Sequence, residues 1–347
     1  MNRKLIAALM LLTPAAVPVK AAEESKNPAV KKEPAAGVVS KLVATTYGAA
    51  NLHRVSSDGK IVPFKLPAGT VWGNGNISAG SNDPVESPDG KLLAYVQKGS
   101  LNIRPIEGGK ATVVVSGYAH HELLMTGWAP NGESLVYFLG PPQADDAPPS
   151  RVKEEKFFVY DLKKKASREI KLGGAFCGWL PDGEMLVHDP EKGTVSSQAL
   201  TPGSAPKVLL RETKDYGQIA VSPDGRKIAA TVNKFGNPGT SQLITVELAG
   251  GAVTPLTKES GWADVQWPQW SPSGKQISWQ LRVGEKEGMP QSTVVVNGKN
   301  LTKPAMTGTH QWLTEKVLVV TELEAIVIVD AESGKELGRK TTGKKSK

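Results

Sequence analysis

Five stretches of the chain repeat one pattern: ESPDGKLLAY (86–95), WAPNGESLVY (128–137), WLPDGEMLVH (179–188), VSPDGRKIAA (221–230) and WSPSGKQISW (270–279). The turn residues are Pro88, Asp89, Gly90; Pro130, Asn131, Gly132; Pro181, Asp182, Gly183; Pro223, Asp224, Gly225; and Pro272, Ser273, Gly274. Proline presets φ, Asp or Asn bonds back to nearby backbone, and glycine accepts a left-handed conformation. β-rich runs follow, as in KLLAYVQ (91–97), ESLVYFL (133–139) and KQISWQL (275–281), so each turn should close a hairpin. The prolines recur with a period of roughly forty to fifty residues, and four strands per such period is the signature of a propeller blade. QWLTEKVLVV (311–320) reads as a degenerate sixth copy that keeps the tryptophan.

One unit can be traced in full: strand a over 126–130, b over 134–139, c over 156–162 and d over 167–172. The stretch 41–66 lines up with 91–115 as a further b, c and d without a clear a. An all-β propeller of four-stranded blades is therefore expected over 39–340. Seven blades are favoured, with strand a of the first missing or supplied by GVVS (37–40). The alternative is six blades, the N-terminal segment completing the last. Ring closure removes free sheet edges, so with either count the two ends should meet.

Repeats of the form W-S-P-D-G followed by a strand resemble those of TolB-type propellers, which are related in architecture to WD-repeat proteins. The resemblance covers about residues 41–340 and includes Trp128, Trp179, Trp270 and Trp312, which hold one register before their turns. It implies that these tryptophans pack between blades, where aromatic area locks neighbours together. Family members include periplasmic TolB, which works with the Tol–Pal envelope system, and the propellers of prolyl-oligopeptidase-like enzymes. No counterpart of the separate α/β domain that precedes the propeller in full TolB is expected, because the residues before 39 read as a leader and a linker.

Residues 1–21 read as a secretory signal peptide: Arg3 and Lys4, then the apolar run LIAALMLLT (5–13), then small residues before a cut after Ala21. The apolar run is about half the ~20 residues that a membrane span needs. A Lys-, Glu-, Ala- and Pro-rich segment (22–38) reads as a solvated linker, and 341–347 as a basic tail. The formal charge of +8 is concentrated at the ends, with Arg3 and Lys4 in the leader and Arg339, Lys340, Lys344, Lys345 and Lys347 near the C-terminus. The nearly neutral body between them lacks the basic stripe of a nucleic-acid binder. With Cys177 as the single cysteine, no intramolecular disulfide can form, which is compatible with a periplasmic or secreted address.

Catalytic signatures are scarce. GNISAG (75–80) lacks the spacing and the following helix of a nucleophile elbow. HHELLM (120–125) places Met125 where a zinc-binding H-E-x-x-H would have its second histidine. Adjacent His120 and His121 on a strand would point to opposite faces. Cys177 has no basic neighbour in sequence and reads as an inert buried thiol. No cofactor and no metal are expected.

The remaining signal is geometric. In a propeller the a–b and c–d turns share one face, and the b–c and d–a loops share the other. Long insertions at 140–155, 233–241 and 282–291 all fall between strands b and c, and long loops on a rigid scaffold are where binding concentrates. The d–a connections on the same face carry Tyr118, His120, His121, Tyr216, Trp262, Asp264 and His310, a set suited to peptide, glycan or small-ligand contact. The expected function is an exported, monomeric, non-enzymatic scaffold that binds an envelope protein, a small ligand or a glycan. The alternative is a glycan hydrolase or lyase with Asp264 and His310 or His121 as acid and base.

Overall fold

The computed structural model describes residues 39–44, 52–68, 70, 83–117, 121–142, 156–234, 240–261, 264–323 and 325–342. All belong to one compact unit spanning 38–347, and they contain strands and no helix. Seven antiparallel sheets form the seven blades of a propeller. Blade I holds β1 (Ser40–Ala44), β2 (Leu52–Ser56) and β3 (Ile61–Phe64). Blade II holds β4 (Val85–Glu86), β5 (Leu92–Gln97), β6 (Ser100–Pro105) and β7 (Thr112–Val115). Blade III holds β8 (His121–Trp128), β9 (Ser134–Pro142), β10 (Lys156–Asp161) and β11 (Ala166–Ile170). Blade IV holds β12 (Ala175–Trp179), β13 (Met185–Asp189), β14 (Thr194–Gln198) and β15 (Lys207–Arg211). In blade V, β16 (Tyr216–Val221), β17 (Lys227–Lys234), β18 (Thr240–Glu247) and β19 (Val253–Pro255) are joined by the short β20 (Ser260–Gly261), which pairs with β18. Blade VI holds β21 (Val265–Trp270), β22 (Ile277–Lys286), β23 (Met289–Val296) and β24 (Lys299–Asn300). Blade VII holds β25 (Thr307–Thr314), β26 (Val317–Glu322), β27 (Ala325–Asp330) and β28 (Glu336–Thr341).

Burial explains the sequence texture. Middle strands are covered on both sides by neighbouring blades, so β26 and β27 are apolar almost throughout, while the outer β7, β19 and β28 are largely exposed. Arg339 lies in β28, paired with Glu322 and Glu336.

The repeated turn builds one face of the ring. In blade II, Ser87 Oγ donates to Asp89, Leu92 N–H donates to Ser87 Oγ, and Gly90 N–H returns to the Ser87 carbonyl. Ser222, Asp224, Lys227 and Gly225 repeat the same bonds in blade V. Blade VI has Ser273 in place of the aspartate, and Glu315 of blade VII supplies the carboxylate, accepting from Ser271 Oγ at 2.8 Å and Ser273 N–H at 3.0 Å. The turns also pack on one another. Gly225, with φ of 69°, leaves no room for a Cβ, which would lie 2.4 Å from Pro181 of the preceding turn.

The aligned tryptophans lie between blades. Trp128 Nε1 donates to the Val85 carbonyl and Trp270 Nε1 to the Ala220 carbonyl, equivalent positions in blades II and V. Trp179 takes the same place beside Gly127. Trp312 reaches back to blade VI through Ser278 Oγ, which in turn donates to the Gln269 carbonyl.

The ends meet, and blade I closes the ring. Among the described residues it has three strands, β1–β2–β3, corresponding to b, c and d. Val39 continues β1 by pairing with Ser57, so the described part of GVVS extends strand b instead of forming strand a. The inward edge of β1 is closed by side chains from both neighbours. Leu42 N–H donates to Glu86 Oε2 at 2.8 Å, and Gln311 Nε2 donates to the Leu42 carbonyl. Lys41 Nζ reaches the Trp312 carbonyl at 2.9 Å, and Arg54 lies 3.6 Å from Glu86. Val43 and Val55 complete the seam by packing with Leu313, Val319 and Ile326. Charged groups aimed along a strand edge are a common device against stray pairing.

Candidate binding face

The b–c and d–a connections lie opposite the repeated turns. Two of the three long b–c insertions fall mainly outside the described residues, at 143–155 and 235–239. The third, 282–291, is not a loop. β22 and β23 run on beyond the blade as a hairpin, with Lys286 opposite Met289 and a two-residue turn at Glu287 and Gly288. Both turn residues have positive φ, 55° and 75°, the backbone that matches the twist of a tight hairpin. Val283 and Met289 are 44% and 45% exposed on this projection. Arg282 pairs with Glu285, and Arg282 N–H donates to the Asp264 carbonyl at 2.8 Å, tying the hairpin base to the d–a connection.

Tyr118, His120 and Trp262 lie outside the described residues. His121 opens β8 opposite Pro142. Tyr216 opens β16, half-buried, with its ring 6.3 Å from that of His188, and burial pushes its phenol up. Asp264 is half-buried just before β21. His310 lies inside β25, not in a connection, and is 2% exposed. Its Nε2 is 3.0 Å from Ser278 Oγ, the same oxygen that accepts from Trp312 Nε1. Burial lowers His310 to about 4, so the ring is neutral at pH 7. Asp264 and His310 share no hydrogen bond or ion pair among the described residues. Cys177 lies in β12 with its thiol pushed up to about 12 by burial, which leaves it protonated.

Several groups near this face carry no obvious sequence signal. Burial lowers the pKa of His188, whose Nε2 meets the Thr213 carbonyl at 2.8 Å, beside Tyr216. Inner-strand glutamines link successive blades: Gln218 accepts from Trp267 N–H, and Gln269 donates to the His310 carbonyl at 2.6 Å. Trp267 has φ of 56°, rare for a bulky residue, at the bulge in β21. Bulge positions depend on tertiary register, so composition gives no warning of them. No group of three or more His, Cys, Asp or Glu side chains among the described residues could hold a metal ion. No helix among them is long and apolar enough to cross a membrane.

No protein-family model matches the chain, and no match is found among curated proteins. Solved structures do match. TolB from Acinetobacter baumannii is similar with a TM-score of 0.50 at 15% identity, over 76% of this chain and 62% of that one. The chain thus spans less than two thirds of that TolB. An uncharacterized protein from Listeria monocytogenes EGD-e is similar with a TM-score of 0.54 at 10% identity, over 89% of this chain and 93% of that one. At such identities the likeness is one of fold, and the chain is a seven-bladed β-propeller of TolB-like architecture.

Proposed function

We propose that this protein is an exported, non-enzymatic binding scaffold of the cell envelope, engaging a partner through its b–c/d–a face. The observation that carries the reading is the β22–β23 hairpin, which projects beyond blade VI with Val283 and Met289 exposed on an otherwise well-buried sheet. Apolar side chains on a solvent-exposed hairpin gain little for the monomer and suit contact with another protein. The buried, neutral His310 and the protonated Cys177 thiol favour binding over acid–base or nucleophilic chemistry at these positions. Tyr216 and Asp264 lie beside the same face and are candidates for its rim. The leader-like segment 1–21 supports export, and a periplasmic or secreted site of action fits the TolB-like fold.

The test replaces 283–291 with a two-residue Asn-Gly turn, which keeps Arg282 opposite Ser292, and compares the variant with wild type by crosslinking in native cells, affinity purification and mass spectrometry. The proposal expects a protein captured by wild type and lost from the variant, with the melting temperature unchanged. Equal capture by both proteins would remove the hairpin from the binding surface. If neither captures a protein, the scaffold reading fails in its protein-binding form.

A further inference from the structure

The turn face carries a second feature, between blades V and VI. A cavity of about 420 Å³ opens there, walled by Lys227, Thr245 and Leu256 of blade V and by Trp270, Ile277 and Trp279 of blade VI. Its origin is visible by comparison with the next seam. Leu256 and Leu301 are equivalent: each N–H donates to a strand-c carbonyl, Leu243 and Val294 respectively. Leu301 is 6% exposed because the five-residue c–d turn of blade VII folds over it, with Gly334 against its carbonyl. Leu256 is 37% exposed because the c–d turn of blade VI, Asn297 and Gly298, is only two residues long and leaves it uncovered. Thr245 also presents a hydroxyl where blade VI has the buried Val296.

We infer that this cavity is a binding site for a small organic anion, a carboxylate carried on a flat apolar body. The walls supply two indole rings, Ile277 and Leu256, which suit an aromatic or similarly planar group. The rim supplies positive charge. Lys275 makes no ion pair among the described residues, whereas the other rim cation, Lys227, is held by Glu247 at 2.7 Å. Trp279 is almost wholly buried, and its Nε1 has no hydrogen-bond partner among the described residues, so this wall presents an indole surface and not a polar contact. A cationic ligand would gain from the indoles but meet Lys275, with no carboxylate among the described lining residues to oppose it.

The probe is 3-phenylpropionate, with neutral 3-phenylpropionamide as control, titrated into the full mature chain. Binding is read by calorimetry and by the indole N–H signals of ¹⁵N-labelled tryptophan. Saturable binding of the acid, with two indole signals moving, is expected. The amide should bind about three- to five-fold more weakly, the scale of one partly exposed ion pair. Lys275→Met, an exposed change that leaves the core intact, should remove that difference. Trp279→Phe assigns its indole signal, and Trp270→Phe does the same for the other wall if the first variant folds poorly. No saturable binding, equal binding of acid and amide, or an undiminished preference in Lys275→Met would each overturn the inference.

Discussion

The two faces of this ring are built on opposite principles. On the turn face the same few bonds recur from blade to blade, and where blade VI lacks its aspartate the neighbouring Glu315 restores the missing acceptor. On the opposite face the described connections differ from blade to blade. Blade VI extends a hairpin, blade V pairs the extra β20 with β18, and blades III and V carry long b–c insertions. The repeated face holds the ring in register, which leaves the other face free to vary without loss of the fold. The V–VI cavity is an exception on the regular side, created by one shortened c–d turn.

That contrast predicts where substitutions hurt. The largest expected effect is at the seams. Trp312→Ala should cost about 3–5 kcal/mol in urea unfolding, because it removes a buried ring and frees the Ser278 hydroxyl. His310, in the same seam, should make stability depend on pH. The folded ring stays neutral down to about 4, while the unfolded chain protonates near 6.5. Its stabilising contribution is therefore complete above pH 6.5 and is lost as pH falls from 6.5 towards 4, by up to about 3 kcal/mol. Comparing urea midpoints of wild type and His310→Gln across that range checks the sign, since the variant should lose less. Glu315→Ala should cost about 1–3 kcal/mol, because Ser271 and Ser273 lose their acceptor together. The smallest effect belongs to the hairpin: trimming 283–291 should move stability by no more than about 0.5 kcal/mol.

Much of this was legible in the sequence because the repeated turn is a local device. Pro, Asp and Gly act within a few residues of themselves, so the period, the hairpins and the tryptophan register survive in one dimension. Closure of the ring by blade I also followed from the spare b–c–d set. What escaped depends on register between distant strands. His310 reads as a loop residue but lies within β25, because the bulge after Thr307 draws the strand past it. The 282–291 segment reads as a polar loop, since Glu-Gly is a weaker hairpin signal than Asn-Gly and its strands are solvated on both faces. The cavity is set by the length of one turn relative to a leucine in the preceding blade, a comparison that needs the blades already aligned.

The most direct measurement places a photo-crosslinking amino acid at Val283 on the hairpin and, in a separate protein, at Lys91 on the repeated face, with both expressed in native cells. Discrete crosslinked partners from position 283 and none from position 91 are the predicted result. Partners captured from position 91 alone would contradict the account, making the repeated face the working surface and the hairpin incidental.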